Sequence, residues 1–163
     1  MRSIVRMGVA LLVAAGMAGC AGSGPEGAPK GEPSSTSTVV SHGGKVVDHV
    51  SLVDSLRQHG VTAEVVGKAE QPFLRGTGTR LKLSGGGIAG SAEIQSYDYD
   101  AAATISEDAS ALEADGTPKL SKILWNEPPH FYRAERVLVL YVGSDAAVTK
   151  LLTDALGPQF AGR

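Results

Sequence analysis

Val137-Leu138-Val139-Leu140-Tyr141-Val142 is the stretch that decides the fold of this 163-residue chain. Its six residues are apolar and rich in β-branched side chains, and no polar residue alternates with them. Such a run is typical of a strand that is covered on both faces. We therefore predict that this strand lies at the centre of a sheet.

The residues after this strand predict a helix. Ser144 is a good N-cap residue, and an apolar stripe follows at helical spacing. Gly157-Pro158 ends that helix, because glycine adopts the left-handed C-terminal conformation and proline cannot continue a helix. The stripe consists of Val148, Leu151, Leu152 and Ala155.

The residues before the central strand predict another strand and leave two interpretations for the segment that follows it. Leu120 to Trp125 is predicted to be a strand that Pro128-Pro129 stops. His130 to Arg133 either begins the next strand or belongs to the turn, and 134–136 is a local break.

The first half of the domain predicts a helix, three strands and a second helix. Apolar residues at helical spacing indicate a helix at about 47–59, with Gly60 at its C-terminal cap. Strands follow at 61–65, around Leu81 and Leu83, and at 91–99, and a helix starts behind Asp100 and runs to Ser110. Residues 67–78 are predicted to be an irregular loop, and the glycines at 85–87 a turn.

The predicted order of elements is therefore α-βββ-α-ββ-α. Short connections favour antiparallel pairing, and helices tend to gather on one face of an antiparallel sheet. The fold class is α+β, a mainly antiparallel sheet of about five strands with the helices packed on one face. We expect a single domain over residues 42–163.

The N-terminus has the layout of a secretory signal peptide over residues 1–19. Arg2 and Arg6 precede an uncharged apolar run from Met7 to Ala18, which is too short for a transmembrane helix. Met17-Ala18-Gly19-Cys20 resembles the bacterial lipobox, in which the cysteine thiol is acylated and becomes the new N-terminus. Cys20 is the only cysteine in the chain and has no intramolecular disulfide partner. A plain secretory signal with an incidental cysteine is the alternative.

A linker separates this anchor from the domain. Residues 20–41 comprise the lipidated cysteine and a stretch dominated by Gly, Pro, Ser and Thr, which has too few apolar residues to form a core. Treated as a flexible coil, residues 21–41 reach about 25 Å. We expect the protein to be a lipoprotein of the cell membrane or outer membrane, with fatty acyl chains such as palmitate on Cys20 and its domain on the extracytoplasmic side of the cell envelope.

Charge excludes a nucleic-acid partner. The chain has 15 Lys and Arg against 17 Asp and Glu, and loss of Arg2 and Arg6 with the signal peptide leaves 13 against 17. The sequence contains no basic cluster of the kind that binds nucleic acid.

Pro129-His130-Phe131-Tyr132-Arg133, followed by 137–143, resembles a shared segment of a family of small bacterial lipoproteins without an established activity. Residues 52–57, 71–73 and 95–99 resemble that family too, and the likeness covers most of residues 48–162. The resemblance implies export and one compact domain, and it carries over no catalytic residue.

Motifs for catalysis, metals and cofactors are not evident in the sequence. The four histidines lack the short spacing of a metal-ligand set, and the glycines at 85–87 lack the Lys-Ser/Thr of a phosphate-binding loop. We predict no catalytic residue, no metal and no cofactor.

Aromatic residues mark a candidate binding site. They lie in or beside two proline-containing loops, 71–78 and 126–136, which would form an apolar cleft if they meet at one end of the sheet. The alternative is that Phe131 and Trp125 belong to the core and Tyr132 caps the sheet edge. The candidate residues are Phe73, Trp125, His130, Phe131, Tyr132 and Arg133.

These observations predict a non-catalytic module with a binding or structural function. Its possible partners are an envelope protein or a small ligand. The alternative is a hydrolase-like envelope enzyme that uses His130 with a nearby carboxylate such as Glu127.

Overall fold

The computed structural model describes residues 44–163. The predicted signal peptide, Cys20 and the predicted linker lie outside the described residues, as does His42. The described residues form three α-helices and one six-stranded sheet. The helices are α1 (His49–Gln58), α2 (Ala102–Ser110) and α3 (Ala146–Leu156). The strands are β1 (Val61–Ala69), β2 (Thr77–Gly85), β3 (Ser91–Asp98), β4 (Pro129–Ala134), β5 (Val137–Val142) and β6 (Ala161–Gly162).

All neighbouring strands of the sheet are antiparallel, in the order β1-β2-β3-β5-β4-β6. The α+β class and the mainly antiparallel sheet are therefore confirmed. The predicted central strand, β5, pairs with β3 on one side and β4 on the other.

The side chains of β5 alternate between two hydrophobic clusters, because successive residues of a strand point to opposite faces. Val137, Val139 and Tyr141 belong to the first cluster, which α1 and α3 cover with Leu52, Leu56, Val148, Leu151 and Leu152. Leu138 and Leu140 belong to the second cluster, on the opposite face. Both faces of β5 are thus buried, as its sequence predicts.

The helices occupy the two faces unequally. α1 and α3 lie on one face, as expected, but Ile105 of α2 belongs to the second cluster together with Tyr97 and Leu138. α2 is short and Ala-rich, and a single turn of apolar side chains decides which face it packs against.

Helix caps differ in detail from the prediction. α1 begins with Asp48, whose carboxylate accepts from Ser51 N at 2.9 Å, and Gly60 adopts the left-handed conformation (φ 75°) after its end. α3 is capped by Asp145 rather than Ser144, since the Asp145 carboxylate accepts from Ala147 N. α2 has Ala101 at its N-cap with no side-chain hydrogen bond, so the predicted cap at Asp100 is wrong.

Two segments depart from the predicted strand pattern. β1 extends to Ala69 through a bulge between Val65 and Gly67, and the predicted irregular loop shrinks to residues 70–76. Residues 119–128, all of them described, contain no strand, so the prediction for Leu120–Trp125 is wrong. β4 begins at Pro129 instead, and its outer edge pairs with β6.

Because β5 is covered on both faces, we expect Leu138→Ala to lower the free energy of unfolding by about 2–5 kcal/mol, as a buried leucine leaves a cavity. Urea denaturation followed by circular dichroism measures the change. Val65→Ala is the matched control: Val65 is 62% exposed, and its truncation should cost less than about 0.5 kcal/mol. Equal losses in the two variants would contradict the central position of β5.

Candidate functional site

Four aromatic rings from four separate segments meet on the face of the sheet opposite α1 and α3. Trp125 and Phe131 have ring centroids 6.1 Å apart, and Phe73 lies 6.3 Å from each of them, all in edge-to-face geometry. Phe160, just before β6, lies 6.2 Å from Phe131. Edge-to-face packing places the positive edge of one ring on the negative face of another. The two loops singled out from the sequence therefore do converge, around Phe131.

Phe131 is fully buried at the centre of this group, whereas Trp125 is half-buried. The Trp125 indole N–H donates to the Gly116 carbonyl at 3.2 Å, which fixes the plane of the ring. Gly116 has a positive φ of 83°, and a Cβ there would lie 2.8 Å from Pro129 and 3.1 Å from Phe131. Only glycine lets this turn pass so close to the aromatic rings.

A cleft of about 550 Å³ opens beside Trp125. Ile123, Leu124 and Trp125 provide its apolar side, with Pro128 and Pro129 beside them. Its polar side includes an ion pair between the Arg163 guanidinium and the Asp115 carboxylate, 3.1 Å apart. This combination of apolar walls and a few polar groups is typical of ligand-binding clefts.

The hydrogen bonds of Asp115 keep its carboxylate ionised. Its pKa is lowered, first by a hydrogen bond from the Thr117 side chain, then by the Thr117 backbone N–H and by Arg163. The Thr117 N–H donates to Oδ1 at 2.9 Å. The rim of the cleft therefore offers one anionic and one cationic group side by side.

A second cleft, of about 770 Å³, lies where β1 and β2 reach the 70–76 loop. Its lining includes Lys68, Gln71 and Tyr97. Burial raises the pKa of Tyr97, whose hydroxyl donates to Gln95 Oε1 at 2.7 Å. Tyr97 therefore lines the cleft as a hydrogen-bonded, protonated phenol and does not supply a charged group.

His130 and Tyr132 point to the other face of the sheet, because they alternate with Phe131 along β4. The His130 ring stacks on Tyr141 at 5.7 Å, and its Nδ1 and Nε2 lie 2.7 Å from Gln159 Oε1 and 3.0 Å from the Gly143 carbonyl. The buried Tyr132 hydroxyl donates to the Thr149 carbonyl, and burial raises its pKa. These contacts join β4 to α3 and to the C-terminal segment.

The six candidate residues thus fall into two groups. Phe73, Trp125 and Phe131 come together, and Arg133 lies at the edge of the same face with its guanidinium 5.4 Å from the Phe160 ring centre. His130 and Tyr132 are separated from them by the sheet. The sequence did not indicate three residues of this site, because no short-range pattern connects them to the loops 71–78 and 126–136. They are Phe160, Asp115 and Arg163.

A buried carboxylate holds the Phe73 loop in place. Asp108 of α2, only 4% exposed, accepts hydrogen bonds from the Tyr99 hydroxyl (2.9 Å), Arg75 N (2.8 Å) and Arg75 Nε (2.7 Å). Burial, followed by the hydrogen bond to Asp108, raises the pKa of Tyr99, so Tyr99 remains a donor. This network positions the loop that carries Phe73.

Within residues 44–163, no group of three or more His, Cys, Asp and Glu side chains is arranged to hold a metal ion. None of the helices in this part of the chain has the length and apolar character needed to span a membrane.

Comparison of the chain with protein-family models, with curated proteins and with solved structures found no match. The resemblance to small bacterial lipoproteins therefore stays a prediction.

We expect Asp108→Ala to lower the free energy of unfolding by about 2–4 kcal/mol, because it leaves the buried Tyr99 hydroxyl and the Arg75 N–H without an acceptor. Glu107 is the other carboxylate partner of Arg75, and its side chain is 66% exposed. Glu107→Ala should therefore lower the free energy of unfolding by less than about 1 kcal/mol. Urea denaturation of both variants tests this. If Glu107→Ala were the more damaging change, the buried network would not be what holds the loop.

Proposed function

We propose that this protein is a lipid-anchored bacterial envelope protein whose domain is a non-catalytic binding module on the extracytoplasmic side. The anchor is supported by the sequence alone: a charged start, a short apolar run and Cys20 in a lipobox-like context. Acyl chains on Cys20 would join the protein to the cell membrane or outer membrane.

The binding role is supported by one observation above all: Trp125 belongs at once to the aromatic group and to an open cleft. A half-buried tryptophan held by Gly116 offers a rigid apolar surface, and ordering it on binding costs little further entropy. The Asp115–Arg163 ion pair at the rim can exchange its hydrogen bonds for those of a ligand. An extended segment of an envelope protein, or a small ligand with an apolar group and a polar end, fits this chemistry.

The contacts of His130 favour a structural role over catalysis. Both ring nitrogens lie within hydrogen-bond distance of partners in the protein, and the ring is buried. Glu127, the carboxylate suggested as its partner, lines the Trp125 cleft, whereas His130 lines a different cleft with Thr149 and Gln159. A general base needs a nitrogen within reach of its substrate, so the hydrolase-like alternative gains no support from this geometry.

The anchor is tested at Cys20. We expect Cys20→Ala to abolish incorporation of a radiolabelled fatty acid into the protein in growing cells, because the thiol is the acceptor of the lipid. Ser23→Ala, a change in the linker, should leave labelling intact. Labelling that survived in Cys20→Ala would overturn the lipoprotein proposal.

The cleft is tested by photo-crosslinking in intact cells. A photoreactive amino acid at Asn126, an exposed residue that lines the cleft, should give a discrete adduct, and the same amino acid at Glu93, exposed on β3, should not. Arg163→Glu, which breaks the rim ion pair, should reduce the adduct at Asn126 severalfold.

Mass spectrometry of the adducts decides the outcome. A protein or a soluble small molecule linked at Asn126 supports the binding proposal. Equal adducts at the two positions, or an adduct that Arg163→Glu leaves unchanged, would contradict a specific role for the cleft.

A further inference from the structure

Residues 119–126 present two leucines almost completely to the outside. Leu120 and Leu124 are 94% and 96% exposed, more than any other large apolar residue in the described part of the chain. Exposure alternates along the segment: Leu120, Lys122 and Leu124 are exposed, whereas the residues between them are half-buried. One side of the segment therefore carries a Leu-Lys-Leu row.

The protein holds this row outward by fixing the segment at both ends. At the start, Leu112 and Pro118 form a β-bridge, and Lys119 N donates to the Ala111 carbonyl at 2.9 Å. At the end, the Trp125 indole is bonded to Gly116, and the Gly143 N–H donates to the Pro128 carbonyl at 3.0 Å. Ile123, Leu124 and Trp125 line the cleft, and Leu124 is nevertheless almost completely exposed, so the Leu124 end of the row lies at the open edge of the cleft.

We propose that residues 119–126 rest on the lipid bilayer, with Leu120 and Leu124 inserted among the lipids and Lys122 at the level of the headgroups. Leucine side chains gain free energy on leaving water, and a lysine keeps its ammonium in the polar layer while its alkyl stem lies along apolar surface. A tryptophan next to the row is typical of the membrane interface. Lys119 and Lys122 complement the phosphates of anionic lipids.

The depth of insertion follows from the backbone. Residues 119–126 pair with no strand of the described sheet. Apart from the Lys119 and Ser121 N–H groups, which donate to the Ala111 and Pro118 carbonyls, their backbone groups need water or headgroups as partners. An irregular backbone of this kind does not enter the hydrocarbon layer exposed to lipid. Only the two leucine side chains pass below the headgroups.

This inference rests on the proposed lipid anchor, which also explains why two leucines suffice. A free protein would gain too little from two side chains to remain bound. Acyl chains on Cys20, with a linker that would reach about 25 Å as a flexible coil, would turn the contact into an intramolecular one at high effective concentration. The bilayer is therefore the surface that the row meets most often.

The intrinsic fluorescence of Trp125, the only tryptophan of the chain, tests the contact. The full-length lipidated protein is reconstituted into phosphatidylethanolamine–phosphatidylglycerol vesicles whose acyl chains carry bromine near the headgroup, and vesicle flotation establishes that the protein is anchored. We expect the brominated lipid to quench Trp125 at least twofold relative to unbrominated vesicles.

Paired variants separate insertion from tethering alone. Leu120→Asn with Leu124→Asn should float with the vesicles but lose the quenching, whereas Val50→Asn with Val65→Asn, two exposed valines elsewhere, should keep it. Both changes alter exposed side chains, and near-ultraviolet circular dichroism checks that the fold is kept.

The outcomes distinguish this inference from the proposed anchor. A protein that does not float overturns the anchor and this inference together. A protein that floats with Trp125 unquenched, or that is quenched equally in both paired variants, overturns the bilayer contact alone and leaves the row as a docking surface for a protein.

Discussion

The domain depends on the burial of both faces of β5. Val137, Val139 and Tyr141 need one apolar layer, while Leu138 and Leu140 need another on the opposite side. Each Å² of apolar surface removed from water contributes about 25 cal/mol, so leaving either face of β5 exposed would be costly. One layer of helices covers only one face of a sheet. The fold therefore needs one apolar layer on each face of the sheet, and the two layers differ in structure.

α1 and α3 supply the first layer with regular helical stripes of apolar side chains. The second layer is assembled from α2, the 70–76 loop, the 111–128 segment and the C-terminus. Loops carry few apolar side chains for their length, and aromatic rings compensate because each buries a large area. Segments without regular structure also need hydrogen bonds to hold them in place. The Asp108 carboxylate and the Gly116 carbonyl accept such bonds from Arg75 and Trp125. The clefts of about 550 and 770 Å³ lie in this layer, because loops leave gaps that helices would fill.

Elements whose structure follows from the local spacing of apolar residues could be predicted from the sequence. The unbroken run at 137–142 and the stripe of α3 are read from local spacing, and the structure confirms both. Sequence reasoning failed where the answer depends on distant partners. His130 and Tyr132 were grouped with Phe131 because they are neighbours in sequence, yet alternation along β4 sends them to the other face once Phe131 points to the aromatic group. Phe160 and Arg163 reach the site only through the pairing of β6 with β4. The N-cap of α3 is Asp145 and not the neighbouring Ser144, because the choice depends on a local hydrogen bond that either adjacent residue could have made.

The wrong strand at 120–125 and the exposed leucines have one physical origin. The segment is apolar at 120 and at 123–125, and a strand there would need a sheet edge to pair with and a core face to cover its apolar residues. Neither edge of the described sheet receives it: next to β4, residues 130 and 131 already pair with β6, and the opposite edge is β1, which carries a bulge. The segment therefore turns Ile123 and Trp125 toward the protein and leaves Leu120 and Leu124 without cover. Exposed apolar residues that lie together mark contact surfaces, and if the proposed anchor holds the chain at a bilayer, the nearest apolar surface would be the lipid.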